Sequence, residues 1–232
     1  MQPTVESIQV GRPQHFASEG DPFKPWSSAI IKESVSGTVW LGATSLDGDS
    51  QADLVHHGGA DKAVLAYPAE HYPDWRQSMN NPLLSFGAFG ENFTVNRLTE
   101  ANVCIGDTWQ VGGEAVVQVS QPRQPCWKLS RRWRIKSLAL DVQQTGRTGW
   151  YFRVLTEGMV AGGMSLTLRE RPYPDWTIER ANRVMHAEKS DIAAALELGA
   201  IPLLSQNWRT TLTRRANKQE PDPQNRLIGE NE

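Results

Sequence analysis

The chain has 232 residues, which is enough for one large domain or for one domain with an appendage. Its hydrophobic content of 39%, charged content of 22% and net charge of -2 are ordinary for a soluble globular protein, and they give no electrostatic case for nucleic acid or an anionic membrane as the main partner. Two cysteines, Cys104 and Cys126, are too few for a disulfide scaffold.

The first residues of the chain predict no targeting signal, because they combine neither a basic region nor an apolar run. No apolar stretch approaches the roughly 18 residues that a membrane span needs. We therefore expect no membrane partner and a reduced, cytoplasmic compartment, in which both cysteines are thiols.

Short β-branched or alternating runs in the first half of the chain predict strands separated by glycine-bearing loops. Asp47-Gly-Asp49 is typical of a turn between two of these runs. A short helix is then favoured, because Tyr72 and Trp75 lie three apart on one face. The predicted strands cover residues 5–10, 29–33, 37–41 and 63–67, and the helix covers residues 68–77.

The second half begins with a predicted hairpin, residues 104–111 and 114–119, across the Gly112-Gly113 turn. Short helices are predicted at residues 127–133 and 138–144. Residues 146–155 are predicted to combine a loop with an aromatic strand, and residues 164–168 to form a last strand. Many short strands and few long helices favour a mainly β protein, a barrel or sandwich with small inserted helices.

Three short helices are predicted after residue 171, where the texture of the sequence changes. Thr177 is a candidate cap for the first, Ser190 for the second with Gly199 at its end, and Pro202 suits the first turn of the third. The predicted organisation is a β domain over residues 1–171, a three-helix subdomain over residues 172–217 and a flexible tail over residues 218–232.

Cys126 is the main candidate for chemistry. It ends the segment Gln121-Pro-Arg-Gln-Pro-Cys126, in which two prolines stiffen a loop at the end of a predicted strand. Arg123 and Lys128 are cationic neighbours in sequence, and such neighbours favour the thiolate, which is both a nucleophile and a metal ligand. The alternative is a small buried core residue, the usual fate of free cysteine.

The second candidate is the loop that runs from His57 to Lys62. Gly58 and Gly59 let backbone amides approach a ligand closely and form an anion site, to which Lys62 adds a positive charge. A glycine pair is also an ordinary turn. A Cys–His hydrolase that pairs Cys126 with His57 is permitted but not required, and zinc is disfavoured because no pair of ligands has the usual spacing.

Arginines near turns and strand ends in the same half of the chain suggest an anionic ligand. Arginine binds phosphate and carboxylate through paired hydrogen bonds. The alternative for each is an ordinary ion pair or a solvated surface position. The set consists of Arg123, Arg147 and Arg153.

Four short motifs in order resemble the MOSC domain, and specifically the bacterial MOSC proteins of the YiiM type. A similar Gly146-Arg-Thr-Gly-Trp150 segment follows them, and the predicted C-terminal helices are similar to the three-helix extension of that subgroup. The similarity covers residues from about 5 to about 217. The motifs are His57-Gly-Gly-Ala-Asp-Lys62, Phe89-Gly-Glu-Asn-Phe93, Ile105-Gly-Asp107 and Gln121-Pro-Arg-Gln-Pro-Cys126.

The resemblance implies a MOSC β-barrel that binds a molybdenum–molybdopterin cofactor. The cysteine that matches Cys126 is the expected thiolate ligand of the molybdenum. It also implies reduction of N-hydroxylated compounds such as 6-hydroxylaminopurine, a detoxification, with electrons from a separate flavoprotein-type reductase. The residues expected to hold the pterin and its phosphate are His57, Gly58, Gly59, Lys62, Asn92, Arg123, Cys126 and Arg147.

Two departures from the family pattern stand in this sequence. Gly162-Gly163 replaces a Gly-Asp pair before the last strand, and Phe93 stands where leucine is common. Two other functions stay open: a sulfur carrier with a persulfide on Cys126, and a non-catalytic binding module. A homodimer is possible, and a small N-hydroxylated substrate is the expected ligand.

Overall fold

The computed structural model describes residues 2–17, 25–52, 58–219 and 224–229. Its main element is a curled sheet of eight strands, accompanied by two small two-stranded sheets. The strands are β1 (Thr4–Val10), β2 (Gln14–Phe16), β3 (Trp26–Ser28), β4 (Glu33–Ser34), β5 (Thr38–Leu41), β6 (Val64–Pro68), β7 (Phe93–Asn96), β8 (Thr108–Val111), β9 (Ala115–Pro122), β10 (Trp150–Thr156), β11 (Gly158–Ala161) and β12 (Leu166–Glu170).

Short helices connect the strands and follow the last one. Two 3-10 turns, Ala60–Lys62 and Ala69–His71, flank β6. The α-helices are α1 (Tyr72–Ser78), α2 (Trp127–Trp133), α3 (Leu138–Thr145), α4 (Ile178–His186), α5 (Ile192–Gly199), α6 (Gln206–Ala216) and α7 (Gln224–Ile228). None of the helices within the described ranges has the length and apolar character that crossing a bilayer needs.

The large sheet has the strand order β12-β8-β9-β10-β6-β7-β1-β4, and every pair is antiparallel except β6 with β7. It curls until its two halves meet. Thr4 of β1 pairs with Ser165, just before β12, and the Val5 amide donates to the Met164 carbonyl oxygen at 2.9 Å. The predicted mainly β, barrel-like fold with short inserted helices is confirmed.

One hydrophobic core joins the sheet to the C-terminal helices. Val117 and Val119 of β9 belong to the same buried cluster as Ile178 of α4 and Trp208 and Leu212 of α6. Helices α4, α5 and α6 therefore pack onto the barrel through apolar surface, and a three-helix region is confirmed. The domain limits stay a prediction.

Several predicted element ends are displaced because local hydrogen bonds compete with them. Asp191, rather than Ser190, caps α5 through its Oδ1 atom and the Ala194 amide, at 2.9 Å. Gly199 lies inside α5 rather than after it. Ser205, rather than Pro202, precedes α6 and accepts from the Trp208 amide at 3.4 Å.

Two predicted strands are shorter than expected. The run at residues 29–33 contributes only Glu33 to β4. The run from residue 104 begins as a tight turn, because the Asp107 Oδ2 atom accepts the Cys104 amide at 2.9 Å and Gly106 has a φ of 79°. Regular pairing in β8 therefore starts at Thr108.

A seventh α-helix lies inside the stretch that is predicted to be a flexible tail. Residues 224–228 form α7, which packs on α2 within the stretch assigned to the tail. Its contacts are long-range, with residues about 80 to 100 positions earlier, so no local pattern in the sequence indicated them.

Candidate functional site

A cleft opens where the end of β9, the first turn of α2 and two earlier loops meet. Its cavity volume is about 90 Å³, below the roughly 300–1,000 Å³ typical of pockets that enclose a small molecule. It can therefore receive one end of a ligand rather than a whole cofactor. The lining residues on which the chemistry depends are Lys32, Asp49, Lys62, Phe89, Asn92, Arg123, Cys126, Lys128 and Tyr151.

Cys126 lies in this cleft on residues 122–126, hereafter the Cys126 loop. Its thiol is half-buried, and its backbone is extended, with a φ of -130°. Its carbonyl oxygen accepts the Leu129 amide at 3.0 Å and so begins α2. Helix α2 is anchored in turn, because the Trp133 Nε1 atom donates to the Ala88 carbonyl oxygen at 2.9 Å. The stiff loop expected from the prolines therefore has fixed supports at both ends.

Arg123 is the most buried cation of the cleft, with 5% of its surface exposed. Its amide donates to the Gly149 carbonyl oxygen at 3.0 Å and its Nη2 atom to the Phe89 carbonyl oxygen at 3.2 Å. Its Nη1 atom is buried without a hydrogen-bond partner in the described part of the chain. A buried guanidinium with an unsatisfied donor is costly, so it favours an anionic or carbonyl-rich ligand at this position.

Tyr151 of β10 lies close to both Arg123 and Cys126. Burial raises the pKa of Tyr151 to about 12, with Arg123 opposing that rise and Cys126 adding to it. The phenol is therefore protonated at neutral pH and can donate a hydrogen bond into the cleft. Lys62 and Lys128 add two further cationic side chains to the lining.

Glu91 and Asn92 belong to the loop of residues 86–93, hereafter the Glu91 loop, whose polar groups are largely used by the protein itself. Glu91 is fully buried. Its carboxylate accepts the Gly87 amide at 2.7 Å, the Phe89 amide at 3.1 Å and the Thr94 hydroxyl at 3.1 Å. The Tyr72 hydroxyl also donates to it. Glu91 therefore holds the loop in shape rather than facing a ligand.

Asn92 lines the cleft but is also engaged by neighbouring groups. Its Oδ1 atom accepts the Leu65 amide at 3.1 Å, and its Nδ2 atom donates to the Asp49 Oδ2 atom at 2.9 Å and the Gln9 carbonyl oxygen at 3.3 Å. Both donors are used, and one acceptor lone pair is left for a ligand.

Asp49 and Lys32 form a buried ion pair at the edge of the cleft. The Asp49 Oδ1 atom also accepts the Gly11 amide at 2.8 Å. Burial lowers the pKa of Lys32, and the neighbouring Asp49 opposes that effect. Neither residue is predicted as part of the site from the sequence, because Asp47-Gly-Asp49 is typical of a simple turn and neither residue belongs to a recognised motif.

Arg147 and Arg153 are not among the residues that line this cleft. Arg147 pairs with Asp74 at 2.6 Å on the surface. Arg153 pairs with Asp61 at 2.8 Å and donates to the Leu203 carbonyl oxygen at 2.9 Å, which ties β10 to the start of the helical region. Of the three arginines singled out in the sequence, only Arg123 lines the cleft that contains Cys126.

The loop between His57 and Lys62 is described only in part. His57 lies outside the described residues. Gly58 and Gly59 precede the 3-10 turn, and Gly59 has a φ of 95°, a left-handed conformation that glycine adopts readily. The Lys62 amide donates to the Gly59 carbonyl oxygen at 2.9 Å, so this turn delivers Lys62 to the cleft.

Cys104 has a different environment from Cys126. It is buried, and its thiol donates to the Pro174 carbonyl oxygen at 3.4 Å. Burial, reinforced by Asp107, raises the pKa of Cys104 to about 11. Among the described residues no three histidine, cysteine or acidic side chains converge as a metal-binding group.

Comparison with known proteins adds a family to this geometry. A model described as the MOSC domain matches residues 53–167, and one described as the YiiM-like, 3-alpha helix domain matches residues 176–219. Protein YflK of Bacillus subtilis is 44% identical over 218 residues, which are 94% of this chain and 96% of YflK.

Two further relatives are informative. A protein from Gibberella moniliformis named a reductase is 38% identical over 199 residues, which cover 84% of this chain and 34% of that relative. The crystal structure of YiiM from Geobacillus stearothermophilus is 36% identical, with a TM-score of 0.77, and the match covers 92% of this chain and 99% of that chain.

Proposed function

Since the chain belongs to the family of MOSC-domain proteins with a YiiM-like three-helix region, we propose that it is a molybdenum-cofactor-dependent reductase of N-hydroxylated compounds. Base analogues such as 6-hydroxylaminopurine are the proposed substrates. MOSC domains are generally associated with molybdenum cofactor binding, and one relative, of which this chain matches 34%, is named a reductase.

The observation that carries the proposal is the meeting of two groups in one cleft, the Cys126 thiol and the half-satisfied Arg123 guanidinium. A thiolate is a soft ligand suited to molybdenum. A buried guanidinium suits the phosphate or the carbonyl groups of a pterin. The donor set in the described residues therefore fits a molybdenum cofactor that brings its remaining ligands with it.

Each lining residue has a proposed task. Cys126 is the protein ligand of the metal. Arg123 and Lys62 bind the anionic part of the cofactor, and the Tyr151 phenol donates a hydrogen bond to a bound acceptor. Asn92 and Asp49 hold the wall behind them through their shared hydrogen bond of 2.9 Å.

When bound, the cofactor supplies two-electron redox chemistry at an N–O bond. Reduction of a hydroxylamine to an amine consumes two electrons and two protons, breaks the N–O bond and releases water. These 232 residues contain two cysteines, too few for an iron–sulfur cluster that is held by four cysteine thiolates. We therefore assign the electrons to a separate flavoprotein-type reductase, which is the proposed partner.

The test compares the wild type with Cys126→Ser and Cys104→Ser, each produced in a host that makes molybdenum cofactor. Turnover of an N-hydroxylated base is measured with a flavoprotein donor in excess. We expect activity in the wild type and in Cys104→Ser and none above background in Cys126→Ser. Equal activity in Cys126→Ser, or activity in protein free of molybdenum, would contradict the proposal.

A sulfur carrier is the second candidate, because Cys126 is a half-buried thiol that belongs to no disulfide and reaches a cleft. It predicts sulfur on Cys126 that cyanide can release, in protein that contains no molybdenum. The same preparations distinguish the two functions, since molybdenum content and cyanide-releasable sulfur are measured on one sample.

A further inference from the structure

The C-terminal helix α7 holds the Cys126 loop from outside the barrel. The Arg226 Nη1 atom donates to the carbonyl oxygen of Pro125, the residue directly before Cys126. The Arg226 Nη2 atom donates to the Gln143 Oε1 atom on α3 at 2.6 Å. One guanidinium therefore links the loop that carries the thiol to the neighbouring helix.

The residue after α7, Gly229, contacts Trp127, which follows Cys126 in the sequence. A Cβ atom placed on Gly229 would lie 3.1 Å from Cγ of Trp127, so the backbone at Gly229 rests directly on that ring. The edge of Trp26 meets the same ring, at 5.7 Å between centroids. The two residues that flank Cys126 in sequence are thus both contacted by the C-terminal segment.

Helix α7 gains little stability from its own hydrogen bonds. It is five residues long, and none of its side chains is fully buried. A helix of that length is not stable alone in water, because it forms too few hydrogen bonds to offset the cost of its first turn. Its position therefore depends on contacts with the rest of the protein, and those of Arg226 and Gly229 are among them.

The Arg226 contacts are of the strong kind. Burial lowers the pKa of Arg226 to about 10, with the nearby Arg123 contributing and Cys126 opposing. The guanidinium is still charged at neutral pH, so both hydrogen bonds are charge-assisted. Losing them would leave the Pro125 carbonyl oxygen and the Gln143 amide to find other partners.

We propose that Arg226 is a positioning residue for Cys126, and that the segment of residues 224–229 is a strap that fixes the loop carrying the thiol. Arg226 acts through the Pro125 carbonyl oxygen and not on the substrate. That Cys126 binds a metal rests on the proposed function. The positioning of the Cys126 loop by Arg226 does not.

The first test measures the loop itself, in full-length protein made without molybdenum cofactor. Hydrogen–deuterium exchange of the peptide over residues 126–129 is compared in the wild type, Arg226→Ala, Arg226→Lys and Asn225→Ala. Asn225 is the matched control, because it is exposed on the same helix. A peptide from β9 reports global unfolding.

We expect exchange about tenfold faster in Arg226→Ala, since hydrogen bonds from a charged donor are lost. The rate should return part of the way in Arg226→Lys and equal the wild-type rate in Asn225→Ala, with β9 unchanged in all. Should Arg226→Ala also open β9, Gly229→Val serves instead, because its side chain would clash with Trp127 while Arg226 stays intact. The proposal is overturned if neither variant accelerates residues 126–129 more than β9.

The second test measures what the strap does for the holoenzyme. Release of molybdenum after dilution should be about tenfold faster in Arg226→Ala than in the wild type, with partial recovery in Arg226→Lys. Equal release rates in Arg226→Ala and the wild type would overturn the positioning role. A wild type that never contains molybdenum would contradict the proposed function. The hydrogen–deuterium exchange measurement would still show whether the strap positions the Cys126 loop.

Discussion

The Glu91 loop and the Cys126 loop border the same cleft and use their polar groups differently. In the Glu91 loop a buried carboxylate accepts four donors, and the next side chain, Asn92, uses both of its amide hydrogens. In the Cys126 loop the Arg123 guanidinium has a buried Nη1 atom with no partner in the described ranges. These donors are satisfied within the protein in the first loop, whereas the second loop keeps a buried donor that is not.

This difference separates two roles that a short motif does not separate. Phe89-Gly-Glu-Asn-Phe93 and Gln121-Pro-Arg-Gln-Pro-Cys126 are comparable as sequence signals. One builds the wall of the cleft, and the other presents a thiol and a cation to it. Substitutions in the first should therefore change stability, and substitutions in the second should change cofactor binding.

The largest effect on folding is expected for Glu91→Ala. The substitution leaves four donors, two amides of the Glu91 loop and the hydroxyls of Tyr72 and Thr94, without their shared buried acceptor, which together costs about 3–5 kcal/mol of the free energy of unfolding. Chemical denaturation measures this value. The matched control is Glu170→Ala on the exposed surface of β12, for which a change within about 0.5 kcal/mol is expected. If Glu91→Ala lowers the free energy of unfolding by no more than Glu170→Ala does, the Glu91 loop does not have the structural role given to it here.

Arg123→Ala should show the opposite behaviour. It removes one hydrogen bond from the protein, and with it an unsatisfied buried donor, so the stability of the cofactor-free chain should change by no more than about 1 kcal/mol. Cofactor affinity should fall roughly 10- to 100-fold, the equivalent of one charge-assisted hydrogen bond. Titration of cofactor into the apo protein measures it, with Arg169→Ala on exposed β12 as the control. If Arg123→Ala leaves the affinity for the cofactor unchanged and causes a large loss of stability, Arg123 is a structural residue and the role given to the Cys126 loop is wrong.

His186, which lies in neither loop, is expected to make the free energy of unfolding fall in acid. Burial lowers the pKa of His186 to about 3, with the charges of Arg226, Lys189 and Arg215 adding to the effect. In the unfolded chain the same group titrates near 6.5. The unfolded state therefore takes up this proton first as the pH falls, and stability present above about pH 6.5 is lost between that pH and about pH 3.

The stability that is lost at pH 5 because of His186 is expected to be roughly 2 kcal/mol. His186→Phe keeps a ring against Trp208, whose centroid lies 6.3 Å from that of His186. Denaturation at pH 7 and pH 5 should show a smaller difference in the variant than in the wild type by about that amount. An identical difference in both proteins would mean that His186 takes up its proton in the folded state as easily as in the unfolded one.

The smallest effect is expected for Arg147→Ala. The resemblance implied that Arg147 holds the cofactor, but it pairs with Asp74 at the surface, where both side chains are partly exposed. Such pairs contribute about 0–1 kcal/mol. Stability should fall by no more than that, and molybdenum content should equal that of the wild type. A clear loss of molybdenum would mean that the cofactor extends to Arg147, beyond the cleft around Cys126.

The sequence allowed good prediction wherever the determinants are local. Helix α2 begins after Cys126 and ends at Trp133, as expected from the proline loop before it. The hairpin of β8 and β9 follows from its Gly-Gly turn. The thiol, Arg123 and Lys62 could be grouped because each sits in a recognisable short motif.

Contacts between residues far apart in the sequence could not be predicted. Asp49 reads as part of a turn, but it accepts the Gly11 amide 38 positions earlier and contacts Asn92 43 positions later. Arg226 meets Pro125 across 101 positions. No periodicity or spacing encodes such contacts, because they are created only when the barrel closes.

The most direct test of the account is the molybdenum and pterin content of the wild type, Cys126→Ala and Cys104→Ala, purified from a host that makes molybdenum cofactor. We expect molybdenum near one atom per chain in the wild type and in Cys104→Ala, and its loss in Cys126→Ala with the fold intact by circular dichroism. Absence of molybdenum and pterin from the wild type, or equal content in Cys126→Ala, would contradict the account.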